Sequence, residues 1–240
     1  MPAPPQDAFA YALSSNQAWA GYKGHQNPDF FPKLASGQSP AILWLGCSDS
    51  RCPETTILGL QPGDVFVHRN IANIISPTDI NTAAVIEYAV VHLKVKHVVL
   101  CGHSSCGGAG AALSDVRIGG ILDTWLVPLR AVRNAHREEL DEISDDKARA
   151  VRIAELNVEA GINVLMANPA IQDAIAERGL QVHSTFFDIG TGRIRDLGFG
   201  TAKGGYNGLP GVNGDAGDVV RGKHAMLVFR KDGAGSMQAR

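Results

Sequence analysis

Ala41-Ile-Leu-Trp-Leu45 is the stretch that most narrows the folds open to this chain. Five consecutive apolar residues fit a strand buried on both faces, the pattern of an internal strand in a parallel sheet. Gly46 breaks the run, and Cys47, Asp49 and Arg51 follow at alternating positions. Open parallel sheets place their sites at the carboxyl ends of strands. A thiol, a carboxylate and a guanidinium delivered there mark the candidate site.

The rest of the chain supplies partners for that strand. Asp64-Val-Phe-Val-His68 and Val95-Lys-His-Val-Val-Leu-Cys101 predict two more strands. Between them, Ile80, Ala84, Val85, Ala89 and Leu93 recur at helical spacing. Strand, helix, strand at this length predicts a right-handed parallel crossover. Residues 122–142 are expected as one helix, and Ser144 as the cap of another that runs to Ala167 with Val151, Ala154, Val158, Ile162 and Leu165 as its buried stripe. Asn27-Pro28 and Asn168-Pro169 each predict a helix start, and Ala8 to Trp19 predicts a helix with Phe9, Leu13 and Trp19 near one side. Gln181–Asp188 and Arg193–Leu197, joined by Ile189-Gly-Thr-Gly192, predict a hairpin. Ten of the last 41 residues, Gly200 to Arg240, are glycine, and only His224 to Phe229 looks strand-like there. That tail is expected to wrap the surface or a partner subunit.

The expected fold class is therefore α/β, with a mainly parallel central sheet flanked by helices, an N-terminal helical arm, a C-terminal hairpin edge and a glycine-rich tail. The expected domains are an arm over 1–26, the site-bearing α/β domain over 27–198, and an extension over 199–240.

Composition excludes several function classes. At 45% apolar and 19% charged the 240 residues read as globular. A net charge of −2 offers no basic field for nucleic acid or anionic lipid. No apolar run approaches the roughly 20 residues a membrane span needs. Met1-Pro-Ala-Pro-Pro-Gln-Asp7 has neither signal-peptide nor transit-peptide character, so a cytoplasmic location is expected, with an organellar form whose presequence has been removed left open. In that compartment the four cysteines, Cys47, Cys52, Cys101 and Cys106, favour metal binding or catalysis over disulfides.

His103-Ser-Ser-Cys106 follows the third predicted strand as Cys47 follows the first. If the two strands are neighbours, two thiolates and an imidazole share one volume. That donor set suits zinc, and three protein ligands leave a fourth position open, as in catalytic rather than structural zinc. Two alternatives stay open at this point. Cys47-x4-Cys52 and Cys101-x4-Cys106 would make a closed four-cysteine zinc site, or two redox dithiols, although neither has the C-x-x-C spacing of redox chemistry. Both leave His103, Asp49 and Arg51 unused. Cys52 and Cys101 otherwise read as small buried hydrophobes.

Cys47-Ser-Asp-Ser-Arg51 together with Cys101-Gly-His-Ser-Ser-Cys-Gly-Gly108 resembles the paired signature of the β-class carbonic anhydrases. Pro62 to Asn70 and Glu155-Leu-Asn-Val158 join the resemblance, which spans roughly residues 27–197. It implies reversible hydration of carbon dioxide to bicarbonate and a proton by zinc-bound hydroxide, with one Zn2+ per subunit on Cys47, His103 and Cys106. Zinc lowers the pKa of bound water from 15.7 to about 7. Asp49, kept ionised by a bidentate Arg51, is the expected helper that accepts the nucleophile's hydrogen bond. Gln38 stands where related enzymes contact bicarbonate.

Trp44, Arg69 and Tyr88 match a subgroup that binds bicarbonate at a separate inhibitory site, in whose closed state the aspartate, here Asp49, becomes a fourth zinc ligand. The family also implies a homodimer or a dimer of dimers, with no nucleic-acid or membrane partner. Two departures stand out: Gly161 in the long helix, which implies close packing, and the glycine-rich tail. The other readings are a hydrolase of carbon disulfide or carbonyl sulfide, and a catalytically silent zinc- or redox-responsive binding protein on the same scaffold.

Overall fold

The computed structural model describes residues 7–201, 226–229 and 235–238. Most of the expected glycine-rich extension, and residues 1–6, lie outside the described residues. The chain divides into two compact units, Met1–Ser39 and Pro40–Arg240.

In the first unit, the Asp7 side chain caps α1 (Ala8–Gln26) by accepting from the amides of Phe9 at 2.9 Å and Ala10 at 3.1 Å. No residue of α1 is buried. Trp19 meets Phe30 and Phe31 of α2 (Phe30–Ala35) edge-on, with centroids 6.4 and 5.7 Å apart. The second helix starts later than Asn27-Pro28 predicts. Asn27 spends its side-chain oxygen on the Asp29 amide at 3.2 Å, a turn that precedes the helix instead of capping it.

The second unit is built on a five-stranded sheet in the order β2-β1-β3-β4-β5. Its strands are β1 (Ile42–Cys47), β2 (Val65–Asn70), β3 (His97–His103), β4 (Gln181–Asp188) and β5 (Arg193–Gly200). The first four are parallel, and β5 returns antiparallel along β4, giving the mixed, mainly parallel sheet with a hairpin edge that the sequence predicts. A separate two-stranded ladder pairs β6 (Met226–Phe229) with β7 (Gly235–Gln238).

Alternation in β1 explains its unbroken apolar run. Leu43 and Leu45 face one layer, packed with Val98, Leu100 and Val182 under α4 (Ile80–Glu87), α9 (Asp146–Met166) and α10 (Pro169–Arg178). Trp44 faces the other side, with Cys101, Phe187 and Ile57 of α3 (Glu54–Leu58). Both faces are covered, so no polar alternation survives.

Three helices depart from expectation. Residues 122–142 form α6 (Ile121–Trp125), α7 (Val127–Ala135) and α8 (Arg137–Glu142): Pro128 has no amide to continue the turn before it, and His136 leaves helical geometry at φ −114°, ψ 25°. The long α9 is capped by Asp145, not Ser144: its carboxylate accepts from the Ala148 amide at 2.6 Å. The crossover helix α4 ends in a π-helical turn over Tyr88–His92, where Leu93 N–H reaches Tyr88 O at 3.0 Å. Among the described residues no helix is long and apolar enough to cross a membrane.

Candidate metal centre

Cys47 is the last residue of β1 and His103 the last of β3, and these strands are parallel neighbours in register Gly46 to Cys101. Cys106 follows three residues later as the cap of α5 (Gly107–Ala112). The Sγ atoms of Cys47 and Cys106 and a ring nitrogen of His103 lie within 4.8 Å of one another, all buried. Among the described residues they are the one such cluster, and neither Cys52 nor Cys101 belongs to it.

The donor chemistry fits a cation. His103 Nδ1–H donates to Ser104 O at 2.9 Å, which fixes the tautomer and leaves the Nε2 lone pair for a ligand. That Nε2 is buried with no hydrogen-bond partner. Beside it, Cys47 is lowered to about 4, first by the hydrogen bond from Cys106 and also by His103, against burial. Cys106 is pushed far up, first by Cys47 and then by burial. Without a cation the two sulfurs hold one proton between them, since two buried thiolates in contact repel. A divalent soft cation removes that conflict and takes the orphaned imidazole lone pair. Cys52 and Cys101, raised by burial to about 11 and about 12, stay neutral thiols. The closed four-cysteine site and the dithiols are therefore not formed.

Asp49 and Arg51 sit in the loop beyond β1. Arg51 donates Nε to Asp49 Oδ1 at 2.9 Å and Nη2 to Oδ2 at 2.7 Å, and its amide adds a third bond to Oδ1 at 2.9 Å. This fork holds the carboxyl well below the usual carboxylate range. Arg51 Nη2 also donates to Ser105 O at 3.1 Å, tying the dyad to the loop between His103 and Cys106.

Sequence reasoning passes over the braces of that loop. Ser104 Oγ donates to Asp188 Oδ1 at 2.9 Å, and Ser104 N–H donates to Phe187 O at 2.9 Å. The Ile189 amide returns to Ser104 Oγ at 2.9 Å. Ser105 adopts φ +57°, costly for a residue with a Cβ, so the surrounding bonds hold it there. On the far side, Asn157 Nδ2 donates to Ala72 O at 2.8 Å, and a Cβ at Gly108 would meet the Ala72 Cβ at 2.8 Å. The readable traces were Asp188 at the end of a strand and Asn157 in the Glu155–Val158 motif.

The three residues expected to form a separate bicarbonate site do not come together within one chain. Trp44 and Arg69 belong to the α3 face of β1 and β2, where Trp44 is buried. Arg69 donates Nε to Cys47 O at 2.7 Å and Nη2 to Asp49 O, and its Nη1 lies 3.7 Å from Glu54. Tyr88 stacks on Phe66, centroids 5.7 Å apart, and Phe66 belongs to the opposite face with Leu43. The sheet stands between them. Gln38 is an exposed residue of the first unit, between α2 and β1.

A cavity of about 10 Å3, room for about one water, touches Cys47 and His103 and is closed by Trp44 and Phe187. A much larger cavity of about 500 Å3, under Ile75, Thr82, Ile86 and Leu165, holds none of the metal donors. Donor chemistry, not volume, locates the centre.

A cysteine-histidine-cysteine metal centre at the carboxyl edge of a mainly parallel sheet, with an aspartate-arginine fork beside it, defines a zinc hydratase of the α/β class. The carbonic anhydrase family model matches residues 42–194. A carbonic anhydrase of Emericella nidulans is 47% identical over 186 residues, 77% of this chain and 81% of that protein. Solved structures agree. One from Sordaria macrospora, described as one of two tetrameric β-carbonic anhydrases, is 77% identical with a TM-score of 0.81, covering 81% of this chain and 99% of that one. A β-carbonic anhydrase of Aspergillus fumigatus is 54% identical with a TM-score of 0.78, covering 80% and 91%. The chain belongs to the β-class carbonic anhydrases, whose reaction is the zinc-dependent reversible hydration of carbon dioxide.

Proposed function

We propose that Asp49 and Arg51 act directly in this chain's hydration of carbon dioxide, CO2 + H2O ⇌ HCO3− + H+, beside zinc held by Cys47, His103 and Cys106. The observation that carries the assignment is the three-bond fork from Arg51 onto Asp49, two residues past a ligand and bonded to the loop that holds the other two.

Zinc, when bound, supplies the Lewis acidity that makes a water nucleophilic near pH 7. The chain's own residues do the rest. The ionised Asp49 carboxylate accepts a hydrogen bond from the attacking water, aims its remaining lone pair at the carbon of CO2, and excludes geometries that point a proton there. Arg51 keeps Asp49 charged and fixes its plane, a task for a planar fork that Lys cannot reproduce. Arg69, bonded to the carbonyls of Cys47 and Asp49, holds the backbone of both groups in place. Gln38 contacts bicarbonate through its amide, as the family resemblance implies. The Sordaria proteins are described as tetrameric. An assembly of that kind gives cover to exposed Phe9 and Tyr11 on α1, and to Ile80 on α4.

Stopped-flow CO2 hydration with zinc counted in the same sample tests this. Asp49→Asn is expected to keep its zinc and lose about 10²–10⁴ in kcat, the range for a positioned proton-handling group. Full activity in a zinc-loaded Asp49→Asn enzyme would remove Asp49 from the reaction. Gln38→Ala is expected to raise KM with kcat little changed.

A further inference from the structure

Beyond β2 the chain turns in a conformation that its residue types resist. Ala72 adopts φ +61°, ψ +22°, and Asn73 follows at φ +45°, two left-handed residues in succession and neither of them glycine. A Cβ makes that region costly, whereas glycine enters it freely. Three side-chain donors from three elements hold the strained turn. Asn157 Nδ2 of α9 donates to Ala72 O at 2.8 Å, Trp125 Nε1 of α6 to Ile71 O at 2.9 Å, and Asn70 Nδ2, at the end of β2, to Ile74 O at 2.9 Å. Asn157 is buried, so its bond is made away from water.

That backbone delivers one methyl group to the metal centre. Ala72 is buried in the same apolar cluster as Cys47, Cys106 and Ala109. A Cβ at Gly108 would stand 2.8 Å from the Ala72 Cβ, so the methyl lies against the Gly108 backbone without slack. Ile71 Cγ2 and Leu126 Cδ2, at 3.4 and 3.6 Å from the same point, close its sides. The backbone amides of Gly108 and Ala109 donate hydrogen bonds to the Cys106 sulfur. Donors of this kind stabilise a thiolate and fix its direction toward a metal. The Ala72 methyl therefore touches the backbone that aims those donors, two residues from a metal ligand.

We propose that Ala72 is a positioning residue for the metal centre: its methyl group, set by the left-handed backbone, fixes Gly108 and through it the direction of the Cys106 sulfur, and Asn157 holds Ala72 in place. The inference rests on zinc binding by Cys47, His103 and Cys106. Ala72→Gly separates this role from a structural one. It relieves the backbone strain, which offsets the lost burial of one methyl group, so an alanine that served only packing would leave the metal undisturbed. A positioning alanine, once removed, loosens Cys106 without weakening the fold.

Zinc release from the untagged, zinc-loaded enzyme to a chromogenic chelator, with unfolding of the zinc-free proteins followed alongside, tests this. Ala72→Gly is expected to release zinc about 10–100-fold faster, the range for groups that orient a ligand, while the denaturant midpoint of its zinc-free form stays at the wild-type value. With Co2+ in place of zinc, the same variant is expected to shift the sulfur-to-metal charge-transfer band. Asn157→Ala should speed release in the same direction. Unchanged release in Ala72→Gly overturns the proposal, as does an unchanged cobalt band. So does a loss of zinc-free stability large enough to account for the faster release, or failure of Ala72→Gly to fold. If Asn157→Ala does not fold, Ala72→Gly decides alone. A wild type that takes up no zinc would overturn the ligand assignment and the proposal together, whereas equal release from zinc-loaded wild type and variant overturns the proposal alone.

Discussion

Asp188 lies outside the motifs that mark the metal centre, yet its carboxylate takes hydrogen bonds from Ser104 Oγ at 2.9 Å, the Gly190 amide at 3.0 Å and Thr191 Oγ1 at 2.8 Å. Ser104 is the residue whose carbonyl fixes the His103 tautomer. Asp188 therefore steadies a zinc ligand through one intermediary, and partners of this kind typically contribute 10–100-fold to metal affinity. Asp188→Asn is expected to release zinc about 10–100-fold faster to a chromogenic chelator. Ser104→Ala should do the same, because it cuts the same link from the other end. Unchanged release in both variants would make the clamp purely structural. At this scale the sequence was generous with the groups that do chemistry and silent about those that hold them. Cys47, His103 and Cys106, with Asp49 and Arg51 beside them, are legible because their residue types and spacing fit the reaction proposed above. Ser104 and Asp188 are ordinary residues whose roles exist only once β3 and β4 pair. Arg69 and Tyr88 stand on opposite faces of the sheet within one chain, a placement that residue identity does not encode.

Elements were readable wherever one physical cause dominated. β1 follows from burial on both faces, and α10 from an Asn168 cap with Pro169 behind it, whose Oδ1 accepts from Ile171 N–H at 3.3 Å. Residues 122–142 were misread as continuous because helical periodicity persists across Leu126, where only the missing amide of Pro128 separates α6 from α7. Gly161 turns an unexplained glycine into a packing requirement. A Cβ there would stand 2.6 Å from Leu100 Cδ2 and 3.2 Å from Ile75 Cγ1. Gly→Ala inside a helix normally gains about 1 kcal/mol. Here overpacking reverses the sign, and Gly161→Ala is expected to lose about 1–3 kcal/mol in denaturant unfolding of the zinc-loaded enzyme. A gain would mean that α9 slides off β3 without cost.

The same layer contains a pH-sensitive element. Buried His68 of β2 bonds Thr82 of α4 through Nε2 at 2.9 Å, and Thr82 donates onward to Asp79, the cap of that helix. Burial lowers the His68 pKa, and Asp79 recovers part of the loss. A lowered imidazole pKa means that below about pH 6.5 the unfolded chain binds a proton the folded chain refuses, so stability falls with acidification. Above that pH neither state is charged, and the contribution is fully present. Unfolding free energy measured between about pH 7 and pH 5 should decline less steeply in His68→Gln than in the wild type. Parallel slopes would rule His68 out as a source.

For the whole second unit, zinc is a stabilising ligand of the native state alone. Free zinc at about 100 times its dissociation constant stabilises by about 2.7 kcal/mol, and a unit of this size shifts about 2–4 °C per kcal/mol. Stripping zinc with a strong chelator is therefore expected to lower the melting temperature by about 5–10 °C and leave a folded apo-protein, because two of the three apolar clusters contain no ligand and the third, which includes Cys47 and Cys106, is packed mainly by Leu126, Leu129, Leu140, Ile153 and Phe186. Collapse of far-UV circular dichroism on chelation would show instead that zinc is required for folding. The general architecture was foreseeable at this scale, since four buried strands joined by crossovers admit few arrangements. The division after Ser39 was not, because it depends on how Trp19, Phe30 and Phe31 close the first unit on itself.

The clamp at Asp188 also has a consequence in time. During synthesis Cys47, His103 and Cys106 leave the ribosome well before the carboxylate that steadies them, which is made 82 residues after Cys106 (188 minus 106). At several residues per second that interval lasts about 5–15 s. A nascent chain can meet zinc throughout it, but on a loop with no brace the ion comes and goes. Residence begins when β4 docks, so the step that completes the parallel part of the sheet is also the step that commits the metal.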